Sequence, residues 1–198
     1  MRDRLVTMIT GIKKNTLRLS LTGLLVFVLG NCLIDYKGYE KADVLNSQKK
    51  IYDKKLVYNL PYFPQFNLGG KEALETYFQV KTPFKTTEAG TKVPTDGYLV
   101  DVKVDYRSPT TPALVFLAAS TLTATILPAW SQHDGYDIRY VLYKDGKEME
   151  TFAYTVERNY AQWFPLFFVI WMNNDTATEK SVFERVTKTF FDDASKYF

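Results

Sequence analysis

From Tyr98 to Tyr106 apolar and polar positions alternate, with Tyr98, Val100, Val102, Val104 and Tyr106 set against Leu99, Asp101, Lys103 and Asp105. A period of two is that of a strand with one face on a core and the other mostly in water. Tyr136 to Tyr143 and Met149 to Val156 flank KDGK and predict a hairpin. A two-residue loop at Asp145-Gly146 would set Ile138 opposite Ala153. A three-residue loop, Lys144-Asp145-Gly146 with Gly146 left-handed, pairs Ile138 with Phe152 and Tyr136 with Tyr154. The second register gathers the apolar side chains on one face and predicts a type I turn with a bulge at Gly146.

The helical period is found in two places. Ala73, Leu74, Tyr77 and Phe78 share a face in Gly70 to Gln79, and Val182, Phe183, Val186, Phe190, Ala194 and Tyr197 form a stripe near the C-terminus. Asp175 or Thr176 is the expected cap of the second helix, Thr176 and Glu179 having capping-box spacing. LVYNLPYFP reads as a strand stopped by Pro61 and Pro64. Thr82 to Asp96, rich in Thr, Pro and Gly, reads as mostly loop, and the polar, aperiodic stretch from Leu33 to Lys50 reads as a tether. The order predicts an α+β domain: a largely antiparallel sheet of about four to five strands, with a C-terminal amphipathic helix packed on it.

Three apolar runs fit neither period cleanly. The first, Leu19 to Leu29, follows Arg2, Arg4, Lys13, Lys14 and Arg18, opposed only by Asp3, and precedes the chain's single cysteine, Cys32. At about 11 residues it is too short to cross a hydrocarbon core that needs roughly 20, and its basic flank is that of an export signal. Leu29, Gly30, Asn31 and Cys32 resemble the lipobox of bacterial lipoproteins, and Asn31, in place of the usual small residue, resembles the relaxed lipobox of spirochaetes. This resemblance implies that residues 1–31 are a signal peptide removed at Cys32, which then carries the fatty acyl chains as the first residue. It further implies that residues 32–50 hold the lipidated Cys and a polar tether, and residues 51–198 a single envelope domain. Leu33 rather than Asp after Cys32 resembles the bacterial sorting pattern for the outer membrane, which that resemblance makes the expected location.

The second run, ALVFLAASTLTATILPAW at 113–130, carries two readings. Thr121, Leu122, Thr123, Ala124, Thr125 and Ile126 alternate, predicting a short turn or helix through Ala119 and a strand over 120–127 that Pro128 ends. Alternatively the whole of 113–130 crosses a bilayer. The third run, WFPLFFVIWM at 163–172, carries Pro165 and is too short to span as a helix. Indoles favour the membrane interface, so Trp130, Trp163, Phe164, Phe167, Phe168 and Trp171 are the candidate residues for contact with a membrane or a partner protein. In a simple meander that counts 120–127 as a strand, the second and third runs lie at opposite ends of the sheet.

Charge changes the picture only after cleavage. Residues 1–31 hold five cations and one acid, so their removal turns the formal net charge of +3 into about −1. A mature chain without basic excess is a poor nucleic-acid binder. Catalytic constellations are scarce: His133 is the only histidine, beside Asp134 in an expected loop, and with Cys32 given to lipid there is no Cys-His pair. No metal-ligand spacing is recognisable, and Gly69-Gly70-Lys71 lacks the remaining Walker residues and reads as a helix entry. The expectation is a non-enzymatic lipoprotein without cofactor or metal, held at an envelope membrane as a binding or assembly module, with an envelope protein as a possible partner. The alternatives are an integral accessory protein spanning at 113–130 and, third, a hydrolase using His133.

Overall fold

The computed structural model describes residues 32–41, 49–60 and 68–198. The signal region with Leu29, Gly30 and Asn31, and the prolines at 61 and 64, lie outside the described residues. In chain order the described elements begin with β1 (Cys32–Tyr36), β2 (Tyr52–Asn59) and α1 (Gly70–Thr76), which continues as a π-helical turn (Tyr77–Lys81). β3 (Phe84–Ala89), β4 (Gly97–Arg107), α2 (Thr111–Leu122), β5 (Ala129–Lys144) and β6 (Lys147–Gln162) follow. A 3₁₀ helix (Phe164–Asn174), α3 (Glu179–Asp193) and a 3₁₀ turn (Ala194–Tyr197) complete the order. The class is α+β, as expected, but the sheet has six strands in the order β1-β6-β5-β4-β2-β3 and is mixed rather than largely antiparallel.

The mixing follows from the helix at 70–81. It carries the chain from the end of β2 back to the start of β3, so the two strands pair in parallel, with Leu56 opposite Thr87. β2 also pairs in parallel with β4, and β4 is antiparallel to β5, with Tyr98 opposite Lys144 and Tyr106 opposite Tyr136. β3 occupies the stretch expected to be loop. Its sequence, FKTTEA, buries only Phe84 and exposes Lys85, Thr86, Glu88 and Ala89, which suits an edge strand but carries no strong strand period. β1 likewise corrects the expectation of a tether starting at residue 33, since Cys32 to Tyr36 form the opposite edge and Tyr36 is buried.

The described residues fall into two compact units. The larger takes in 35–109, 132–159 and 173–198. Its core is aromatic: of the expected stripe on and after α3, Val182, Phe183, Val186, Phe190 and Ala194 are buried and Tyr197 is half-buried, and Phe190 stacks on Tyr140 with ring centroids 4.5 Å apart. Phe191 faces Tyr77, Phe78 and Phe84, and the C-terminal Phe198 ring meets Phe84 and Tyr98.

α3 is capped by Thr178, whose side chain accepts from Ser181 N while the Ser181 hydroxyl accepts from Thr178 N. The expected pair, Thr176 with Glu179, is not the capping box. Glu179 is buried, accepting from Leu68 N at 2.8 Å, Gly70 N at 3.0 Å, Tyr136 OH at 2.7 Å and Tyr36 OH at 3.3 Å. A carboxylate so placed ties the start of α3 to α1 and to two strands.

The hairpin turn also differs. Asp145 and Gly146 form a two-residue loop with φ of 50° and 79°, the signature of type I′ rather than type I with a bulge. The apolar side chains nonetheless share a face, Tyr140 meeting Tyr154, and Tyr140 and Phe152 both meeting Phe190.

Candidate functional site

The smaller unit gathers, of the described residues, 32–34, 110–131 and 160–172. Not one of these residues is Asp, Glu, Lys, Arg or His. Globular surfaces depend on charge for solubility, and about a quarter of the residues of an average domain are charged. Here the surface is apolar instead.

α2 supplies one part. Thr110 precedes it in extended conformation and Pro112 stands in its first turn, where the missing N–H costs nothing. Only Ser120 is buried on this helix, while Phe116 is 62% exposed and Leu114, Val115 and Leu122 are exposed as well. A surface helix of a water-soluble domain normally shows a polar face; one apolar all round belongs in a core or in lipid. The predicted strand over 120–127 is absent because the helix runs through Leu122 and ends in turns, with Ala124 and Thr125 at φ of 51° and 65°. The threonines that mimic strand alternation act as helix residues: Thr121 Oγ1 donates to Leu117 O and Thr123 Oγ1 to Ala119 O, both at 2.9 Å. Their hydroxyls are thereby satisfied within the helix.

The 3₁₀ helix at Phe164–Asn174 supplies the other part, and none of its residues is buried. Phe168 is 70% exposed, and Phe164, Phe167, Trp171 and the preceding Trp163 are exposed too. Trp130, at the start of β5, is 62% exposed. Phe164 N donates to Thr125 O at 2.7 Å, joining the two apolar segments directly.

All six candidate contact residues therefore stand in one unit, together with Leu114, Val115 and Phe116 from the apolar block 113–119, itself a candidate for membrane or partner contact, and with Leu122, Ile126 and Leu127, which the sequence placed in a strand. The expectation that the second and third runs lie at opposite ends of the sheet is corrected. It counted a strand at 120–127; without that strand the direction of each later strand reverses, and the chain leaves β6 at the end where α2 sits.

Cys32 belongs to the same unit. It is half-buried at the start of β1, its Sγ 2.9 Å from Tyr160 OH. The Tyr160 hydroxyl donates to Gln162 Oε1 at 3.0 Å, and Gln162 Nε2 donates to Thr121 Oγ1 at 3.4 Å. This chain of bonds connects the cysteine to α2 through two side chains that no sequence motif marks. Burial pushes the Cys32 thiol up from its ordinary range, the bond to Tyr160 partly opposing. The hydroxyls of Ser120 and Ser131 are buried in this unit without a hydrogen-bond partner.

His133 lies within β5, not in a loop. Its φ is 66°, and the alternation of buried side chains changes phase there, Ser131 and Asp134 being buried and Gln132 and His133 exposed. Asp134 turns inward, held by Arg158 Nε at 3.1 Å, whereas His133 is outside, 3.6 Å from Glu157. Adjacent in sequence, the two point to different environments and form no dyad. Among the described residues no group of three or more His, Cys, Asp or Glu is arranged to hold a metal ion.

No family model, curated protein or solved structure matches this chain.

Proposed function

We propose that the protein is a non-enzymatic bacterial lipoprotein, anchored through acylated Cys32 and holding its α+β domain at an envelope membrane as a binding or assembly module. The observation that supports this reading best is the presence of Cys32 in the unit whose described residues carry no charge and expose both apolar segments. Anchor and apolar surface then act at the same place. A single acyl chain binds a membrane only marginally, at about 0.8 kcal/mol per buried CH₂, so a lipoprotein's multiple chains make attachment durable. Among the described residues β1 begins at Cys32, so acyl chains on that sulfur would join the sheet with no intervening linker. Leu33 after Cys32 favours the outer membrane, by the bacterial sorting pattern.

The reading that spans a bilayer at 113–130 gains no such support. α2 has 12 residues, about 18 Å at 1.5 Å per residue, against a hydrocarbon core of roughly 30 Å. Among the described residues no helix is long and apolar enough to cross a membrane.

The test is metabolic labelling with an alkynyl palmitate in a bacterial host that processes lipoproteins. The wild-type chain is expected to take up label and to migrate as the shortened form, and Cys32→Ser to stay unlabelled at precursor size. An unlabelled wild type, or equal label in the variant, overturns the reading.

A further inference from the structure

We propose that the occupant of the exposed apolar surface is the hydrocarbon of a single membrane leaflet, in which α2 and residues 164–172 of the 3₁₀ helix are embedded. This deepens the anchored-module reading and rests on it only for bringing the chain to a membrane. Four observations favour lipid over a protein partner. Protein interfaces have an apolar centre inside a polar, charged rim, but this unit has no charged residue among its described positions. α2 is apolar around its whole circumference, as lipid requires and as a one-sided docking face does not.

The remaining polar groups of the two segments are largely closed on themselves. The backbone is helical in both, and Thr121 and Thr123 return their hydroxyls to α2 carbonyls, as hydrocarbon demands of any group it surrounds. Finally, the chain's three tryptophans, Trp130, Trp163 and Trp171, all lie in this unit, where indoles would sit at the headgroup boundary. The length of α2, about 18 Å, matches a leaflet of about 15 Å and not a full bilayer.

Because the three indoles are the only ones in the molecule, the full chain reports on its own insertion. Reconstituted into phosphatidylcholine vesicles, the protein is expected to shift its tryptophan emission to the blue. In vesicles of phosphatidylcholine brominated on the acyl chains it is expected to lose more than half of that emission relative to unbrominated lipid. Phe116→Glu combined with Phe168→Glu, checked by circular dichroism for retained structure, should abolish most of the quenching. Emission unchanged from that in water, in protein that floats with vesicles, overturns the proposal. So does blue-shifted emission that bromine does not quench, which would mean that residues 1–31 or a second copy of the chain cover the surface. The outcome separates from that of the labelling experiment: an unlabelled but quenched protein refutes the anchor alone, and a labelled but unquenched protein refutes the insertion alone.

Discussion

Glu179 shows how one side chain can carry a role that its position in sequence conceals. Three residues after a threonine it reads as half of a capping box, yet it is 2% exposed and satisfies two backbone amides and two tyrosine hydroxyls. Glu179→Ala leaves those donors buried without an acceptor and is expected to cost about 3 kcal/mol, read as a lowered urea midpoint with an unchanged slope. The tyrosines bring a pH dependence. Burial, reinforced by Glu179, pushes the Tyr36 and Tyr136 hydroxyls far above their ordinary range. A group whose pKa is raised by folding stabilises the fold fully below its unfolded value and loses that contribution above it. Stability is therefore expected to hold up to about pH 10, where free tyrosine ionises, and to fall beyond it. Ionisation of Tyr36 and Tyr136 should accompany unfolding rather than precede it. Burial also works against the Arg158 charge, but Asp134 at 3.1 Å outweighs it and keeps the guanidinium firmly protonated. At the surface, Lys37 at 3.0 Å holds the Glu157 carboxyl below its usual range, with His133 adding a smaller share.

Among the elements, those with a strong period and a one-sided environment were legible. β4 buries Tyr98, Val100, Val102 and Val104 while exposing Lys103 and Asp105, and the stripe on α3 is buried as its spacing requires. β3 was not legible, because an edge strand needs only one buried anchor, Phe84, and its polar remainder reads as loop. α2 was misread at its end for a chemical reason: threonines alternating with apolar residues satisfy a strand's pattern, but a threonine can equally bond the carbonyl four residues back and stay helical. The turn at Asp145-Gly146 was open between two registers, and apolar gathering on one face, the criterion that selected the longer loop, is met by the shorter one. With both turn residues at positive φ, Gly146→Ala is expected to cost about 1 kcal/mol and Asp145→Asn close to nothing, by thermal melts. At Gly135, φ 135°, an added Cβ would overlap the Val156 carbonyl oxygen, so Gly135→Ala is expected to destabilise more than Gly146→Ala.

At the scale of the molecule, the candidate site was half legible. The six aromatic candidates could be picked out by residue type, and all are exposed. That the two runs share an end of the sheet could not, because one miscounted strand inverted it, nor could the place of Cys32 with them, because the stretch that forms β1 reads as a tether. The same unit explains why the two segments can be apolar without entering the aromatic core: they form a unit of their own, separate from the residues that build that core. An anchored module with an inserted surface requires that the sulfur of Cys32 carry lipid. Intact mass of the protein extracted from its native membrane measures this directly. The account predicts a chain beginning at residue 32 with acyl additions, well below the 22.9 kDa of the full sequence. A mass equal to the unmodified chain, with residues 1–31 still attached and no lipid on Cys32, would contradict it.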